Sequence, residues 1–116
     1  MNSEFRRARR RRVIEQIEVV DAMTDMVIGR LGNLSESGTL LITNTPLRED
    51  ALYQWRFNLP HPGGGLVQIE CGAHLLWLDK ASAPGQWWAG ARFILLSKAA
   101  TKNVSAWIES PGGSYE

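Results

Sequence analysis

The sequence predicts an all-β domain, a six-stranded antiparallel β-barrel with one C-terminal α-helix and a flexible basic N-terminal arm. Three observations carry that expectation. Two long segments alternate apolar and polar residues with period two, the mark of half-buried strands. Turn-rich stretches, among them "PHPGGG" at 60–65 and "KASAPGQ" at 80–86, punctuate the chain. After Leu96 the apolar period changes to that of a helix.

The elements follow in order. Residues 1–12 hold six arginines against the single Glu4, a local charge of +5, whereas the remainder of the chain carries −4. The basic charge therefore belongs to an arm and not to the barrel. With one aromatic and no aliphatic side chain larger than Met1, the arm lacks the apolar surface to offset its ordering entropy, so it is expected to be mobile until a ligand engages it. Strand signals run at about 13–20, 26–34 and 39–43. Residues 51–59 then place Ala51, Tyr53, Trp55, Phe57 and Leu59 on one face. Residues 67–77 do the same with Val67, Ile69, Cys71, Ala73, Leu75 and Trp77, and Gly72 is a plausible bulge. Strict alternation points Trp77 inward, while a bulge at Gly72 would turn it outward, where an indole can stack on a base. A sixth strand at 87–96 leads to Ser97, a candidate N-cap for a helix whose Ala100, Val104, Trp107 and Ile108 form one stripe. "PGG" stops that helix. The expected organisation is thus an arm at 1–12, a barrel with its helix at 13–109 and a polar tail at 110–116.

The chemistry of an enzyme is not apparent in this pattern. His61 lies in a Pro-flanked loop and His74 on the polar face of a strand, neither in a triad or metal-ligand spacing. The triple glycine at 63–65 joins two strands and lacks the helix start of a phosphate cradle. Cys71, the single cysteine, reads as a buried hydrophobe. No resident cofactor is expected. No apolar run reaches the roughly 18 residues a membrane span needs, which with the absence of a signal-peptide core points to a cytoplasmic binder without membrane insertion. The net-acidic barrel argues against nucleic acid as partner.

Two short motifs suggest what is bound. Arginines recur four apart as Arg6 with Arg10 and Arg7 with Arg11, just ahead of the first strand. One strand later comes "NLSESG", that is Asn33-x-Ser35-x-x-Gly38. An arginine pair followed some twenty residues on by [Asp or Asn]-x-Ser-x-x-Gly resembles the PilZ domain, and "LLWLDK" and "WWAGARFILLS", with Gly90 ahead of an apolar run, extend the resemblance along the chain. It implies a six-stranded barrel with a C-terminal helix that acts as a receptor for the bacterial second messenger cyclic di-GMP. Arg7 and Arg11 are then the first-choice arginine pair, Arg6 and Arg10 the near alternative, with Arg9 and Arg12 assisting; Asn33, Ser35, Gly38 and Trp77 complete the site. Asn33 stands where many members have Asp, which keeps an acceptor oxygen but removes the charge.

The residue types make sense on their own. Arg binds phosphate in bidentate fashion, pairs with the O6 and N7 edge of guanine and stacks on the base plane. Short side chains at 33–38 are expected to leave backbone N–H groups free, with Gly38 allowing either close approach or a positive φ. As a turn residue Gly38 is expected to tolerate valine without loss of the fold. The expected function is a single-domain receptor that signals to an effector protein by ordering its arm. The competing expectation is a degenerate adaptor that works through protein contacts alone.

Overall fold

The computed structural model describes residues 8–116. Arg6 and Arg7, one member of each expected arginine pair, lie outside the described residues. The strands are β1 (Arg11–Arg12), β2 (Glu18–Asp21), β3 (Met26–Leu34), β4 (Gly38–Thr43), β5 (Leu52–Pro60), β6 (Leu66–Lys80) and β7 (Trp87–Leu96), followed by helix α1 (Lys98–Glu109). All pairings are antiparallel. β2, β5, β6, β7, β4 and β3 follow one another around the sheet, and the β3–β4 and β2–β3 pairs close it into a six-stranded barrel. Closure leaves those strands without a long free edge.

Strand β1 is the extra element. It pairs with the C-terminal end of β3, Arg11 opposite Leu34 and Arg12 opposite Asn33, on the same edge that β2 occupies further back. The strand expected at 13–20 is thus divided. Between its two pieces only Val13 N–H to the Gly32 carbonyl and Leu31 N–H to the Ile17 carbonyl, both 2.9 Å, tie the chains together. The interruption coincides with a bulge in β3, whose register against β4 skips Gly32. Residues 11 and 12 are therefore paired into the sheet, so the first strand begins inside the stretch expected to be arm.

The inward set agrees with the alternation. Val19, Leu31, Leu34, Leu41, Trp55, Phe57, Leu59, Ile69, Ala73 and Leu75 are buried together in the core. Helix α1 covers one side of the barrel with Ala100, Val104, Trp107 and Ile108, all buried as their spacing predicts. Each of the larger three contributes about 1.5–3 kcal/mol by leaving water. Ser97 is its N-cap, its Oγ accepting from Ala100 N–H at 3.0 Å. The "PHPGGG" stretch is a hairpin turn in which Gly64 and Gly65 have positive φ.

Burial also settles the state of Cys71. Loss of solvent raises its thiol from the ordinary 9.0 to about 12, a backbone hydrogen bond from Trp55 partly offsetting the rise. The thiolate is the nucleophile, so native protein at pH 8.5 is expected to resist iodoacetamide for hours while urea-unfolded protein reacts in minutes. Because the folded state holds the proton longer, stability contributed by this site falls as pH climbs above 9, never below it. Rapid alkylation of folded protein, followed by mass spectrometry, would contradict this packing.

Candidate functional site

The "NLSESG" segment forms the tight β3–β4 turn, and its polar groups are used locally. Ser35 Oγ accepts from the N–H groups of Ser37 and Gly38 at 3.2 and 3.1 Å, and Ser35 N–H donates to the Gly38 carbonyl at 2.9 Å. Those N–H groups are therefore satisfied, not free as expected. Ser35 is buried, and Glu36 reaches across to accept from Ser105 Oγ of α1 at 2.7 Å. Gly38 serves close approach and does not need positive φ: a Cβ there would overlap the Ala91 carbonyl oxygen of β7.

Asn33 is also buried, with its side chain bonded at both ends. Its Oδ1 accepts from Leu40 N–H at 3.2 Å, and its Nδ2 donates to Glu116 Oε1 at 2.7 Å. The second carboxylate oxygen of Glu116 lies 3.2 Å from Arg12 Nε. Asn33 and Arg12, cross-strand partners in register, thus hold one anion between them. An amide suits this arrangement because it can donate; an aspartate at 33 would repel the carboxylate.

The two arginines of β1 divide by strand alternation. Arg11 faces inward with Leu34 and is buried. Its Nη1 donates to the Trp107 carbonyl, to the Ser110 carbonyl at 3.0 Å and to Ser110 Oγ, and its guanidinium lies 4.5 Å over the Trp107 ring. A cation there meets the carbonyl end of α1, where the helix dipole favours it. Arg12 faces outward with Asn33. Arg10 is exposed, and Arg9 stands 4.2 Å above the Tyr115 ring.

Cross-strand register continues this outward face around the barrel. Arg12 of β1 pairs with Asn33 of β3, Asn33 with Leu40 of β4, Leu40 with Gly90 of β7 and Gly90 with Trp77 of β6. Residues directly opposite share a face, so five strands present one row, about 19 Å long at ordinary strand spacing. Trp77 reaches this face through a bulge. The β6–β7 register advances from Leu75 to Trp77 against Ala91 to Gly90, leaving Leu76 as the extra residue. The irregularity at Gly72 does not turn it, because there the extra residue is Ile94 on β7. The indole lies against Gly90, where any Cβ would overlap it, and remains 40% exposed.

The structure thus brings Asn33, Gly90 and Trp77 into one row together with Arg12, expected from the sequence only to assist. Ser35 and Gly38 shape the turn beside that row. Arg11 is turned away from it. Arg12 could have been singled out by continuing strand alternation back from Val13, since adjacent arginines in a strand must face opposite ways.

No protein-family model matches the chain, and no curated protein does. Solved structures match it. The inhibitor of motility MotI/DgrA from Bacillus subtilis aligns with a TM-score of 0.71 at 13% identity, over 89% of this chain and 49% of that one, so this chain spans about half of that protein. The PilZ domain of YcgR from Escherichia coli, in a structure with c-di-GMP, aligns with a TM-score of 0.64 at 18% identity over 87% of both chains. The barrel, the extra strand and the helix described above are a PilZ-like fold.

Proposed function

We propose that this chain is a single-domain receptor for cyclic di-GMP that binds the dinucleotide on the outward row from Arg12 and Asn33 to Trp77 and passes the signal to an effector protein in the cytoplasm. The observation that carries the reading is that row: an arginine and an amide already holding an anion at one end, and an exposed indole at the other. A cyclic dinucleotide offers phosphates and flat bases, the two kinds of group these ends accommodate. The c-di-GMP in the YcgR domain structure supports the choice of ligand. In this reading Arg6, Arg7 and Arg10 add phosphate or guanine contacts from the arm, Ser35 and Gly38 keep the turn in shape, and Arg11 fastens the arm to the barrel.

Calorimetry with cyclic di-GMP, with GMP and cyclic di-AMP as controls, tests it. Wild type is expected to bind cyclic di-GMP selectively. Arg12→Ala should weaken binding by about tenfold or more, the loss of one charged hydrogen bond, and Trp77→Ala by roughly five- to a hundredfold, the value of one stacked base. Full affinity in both variants would place the ligand elsewhere.

A second reading has its own support. Arg11 and Ser35, both taken from the expected motifs, are spent on internal hydrogen bonds. An adaptor that never binds nucleotide and works through its surface needs nothing more of them. It predicts no heat with any cyclic dinucleotide.

A further inference from the structure

The segment after α1 returns to the arm and lies along it. Arg12 N–H donates to the Ser114 carbonyl at 2.8 Å, Glu116 N–H donates to the Arg10 carbonyl at 3.0 Å, and Arg11 and Tyr115 form an antiparallel bridge. Two side chains are delivered by this pairing. The Tyr115 ring sits beneath the Arg9 guanidinium, and the Glu116 carboxylate is shared by Arg12 and Asn33. A flat ring on one arginine and an anion on the next is the pattern that a base and a phosphate of a nucleotide would present to the same groups.

We propose that Tyr115 and Glu116 are an intramolecular competitor for the dinucleotide: the tail occupies the arginine end of the site, and ligand binding displaces it. This rests on the cyclic di-GMP reading. The two anions cannot share the place, because Asn33 Nδ2 and Arg12 Nε are both committed to the carboxylate and a phosphate beside it would meet like charge. The contact is suited to release. Arg12 and Glu116 keep 61% and 37% of their side-chain surface, so water and salt weaken the pair and a dianionic ligand can outcompete it. Asn33 is buried while its cross-strand partner Arg12 on the same face is exposed, and the tail's Glu116 is bonded to its amide.

The test is a comparison of wild type, Glu116→Gln and Tyr115→Ala by cyclic di-GMP calorimetry, with amide hydrogen exchange of residues 114–116 followed with and without ligand. Glu116→Gln keeps the tail's backbone pairing and removes its charge. It is expected to bind about three- to tenfold more tightly than wild type, Tyr115→Ala should shift the same way, and saturating ligand should accelerate exchange of the Glu116 amide in wild type. Equal or weaker binding by Glu116→Gln, or a Glu116 amide that stays protected in the bound protein, overturns the competitor and leaves the receptor standing. If neither wild type nor either variant binds, the receptor reading itself fails and the competitor falls with it. Binding by the variants alone would be its strongest confirmation.

Discussion

Valine at position 38 is expected to cost about 3–5 kcal/mol of folding stability, the upper end of what an overpacked site gives. The added side chain would be driven into backbone, because the Ala91 carbonyl oxygen and the Arg92 Cα, 3.1 Å from the place of the first added carbon, belong to the paired strand and cannot rotate away. Urea denaturation read by tryptophan fluorescence measures the loss. Alanine should already suffer much of it, since the Cβ is itself the clashing atom. An unchanged midpoint for Gly38→Ala would mean that β4 and β7 do not approach as closely as the register requires. This replaces the expectation that valine is tolerated there, and it makes Gly38→Val unsuitable as a binding variant.

Arg11→Ala is expected to destabilise the domain by about 2–3 kcal/mol, which at this size lowers the melting temperature by roughly 10 °C. The guanidinium is the common partner of the Trp107 carbonyl, the Ser110 carbonyl and Ser110 Oγ, and it covers the Trp107 ring. Its removal leaves the last turn of α1 without its cationic cap and opens a gap over a buried tryptophan. Arg11→Lys should recover only part of the loss, because one ammonium cannot span these acceptors in the plane that the guanidinium fork occupies. Thermal melts by circular dichroism decide the matter. A melting temperature within a degree or two of wild type for Arg11→Ala would show that the arm is not fastened through this residue.

Periodicity made most of the barrel legible. Strands at 26–34 and 87–96 and the helical stripe of Ala100, Val104, Trp107 and Ile108 were readable because each buries one face, and burial selects the residue types that pattern analysis counts. Arg11 escaped for the converse reason. A buried cation has no apolar signature, and its partners, carbonyls near position 110, lie almost a whole chain away. The face of Trp77 depended on one extra residue, Leu76, and a bulge leaves no mark on composition. At the candidate site, "NLSESG" announced a turn but not which residue stands opposite Asn33. That neighbour followed from the pairing of Arg12 with Asn33, a matter of register between segments twenty residues apart. The return of residues 114–116 was invisible, because three residues held mainly by backbone hydrogen bonds carry no periodic pattern at all.

The pairing of residues 10–12 with 114–116 also brings together two stretches about a hundred residues apart in sequence. Residues 10 and 116 lie side by side next to β3, so a segment bounded by those two positions spans almost no distance between its ends, the geometry that insertion into a surface loop of a host protein requires. In such a fusion the two junctions would be drawn together or let apart as the last three residues dock or leave. Under the proposed displacement of the tail, such a fusion would act as a portable clasp that converts ligand binding into a change of spacing between two points in its host.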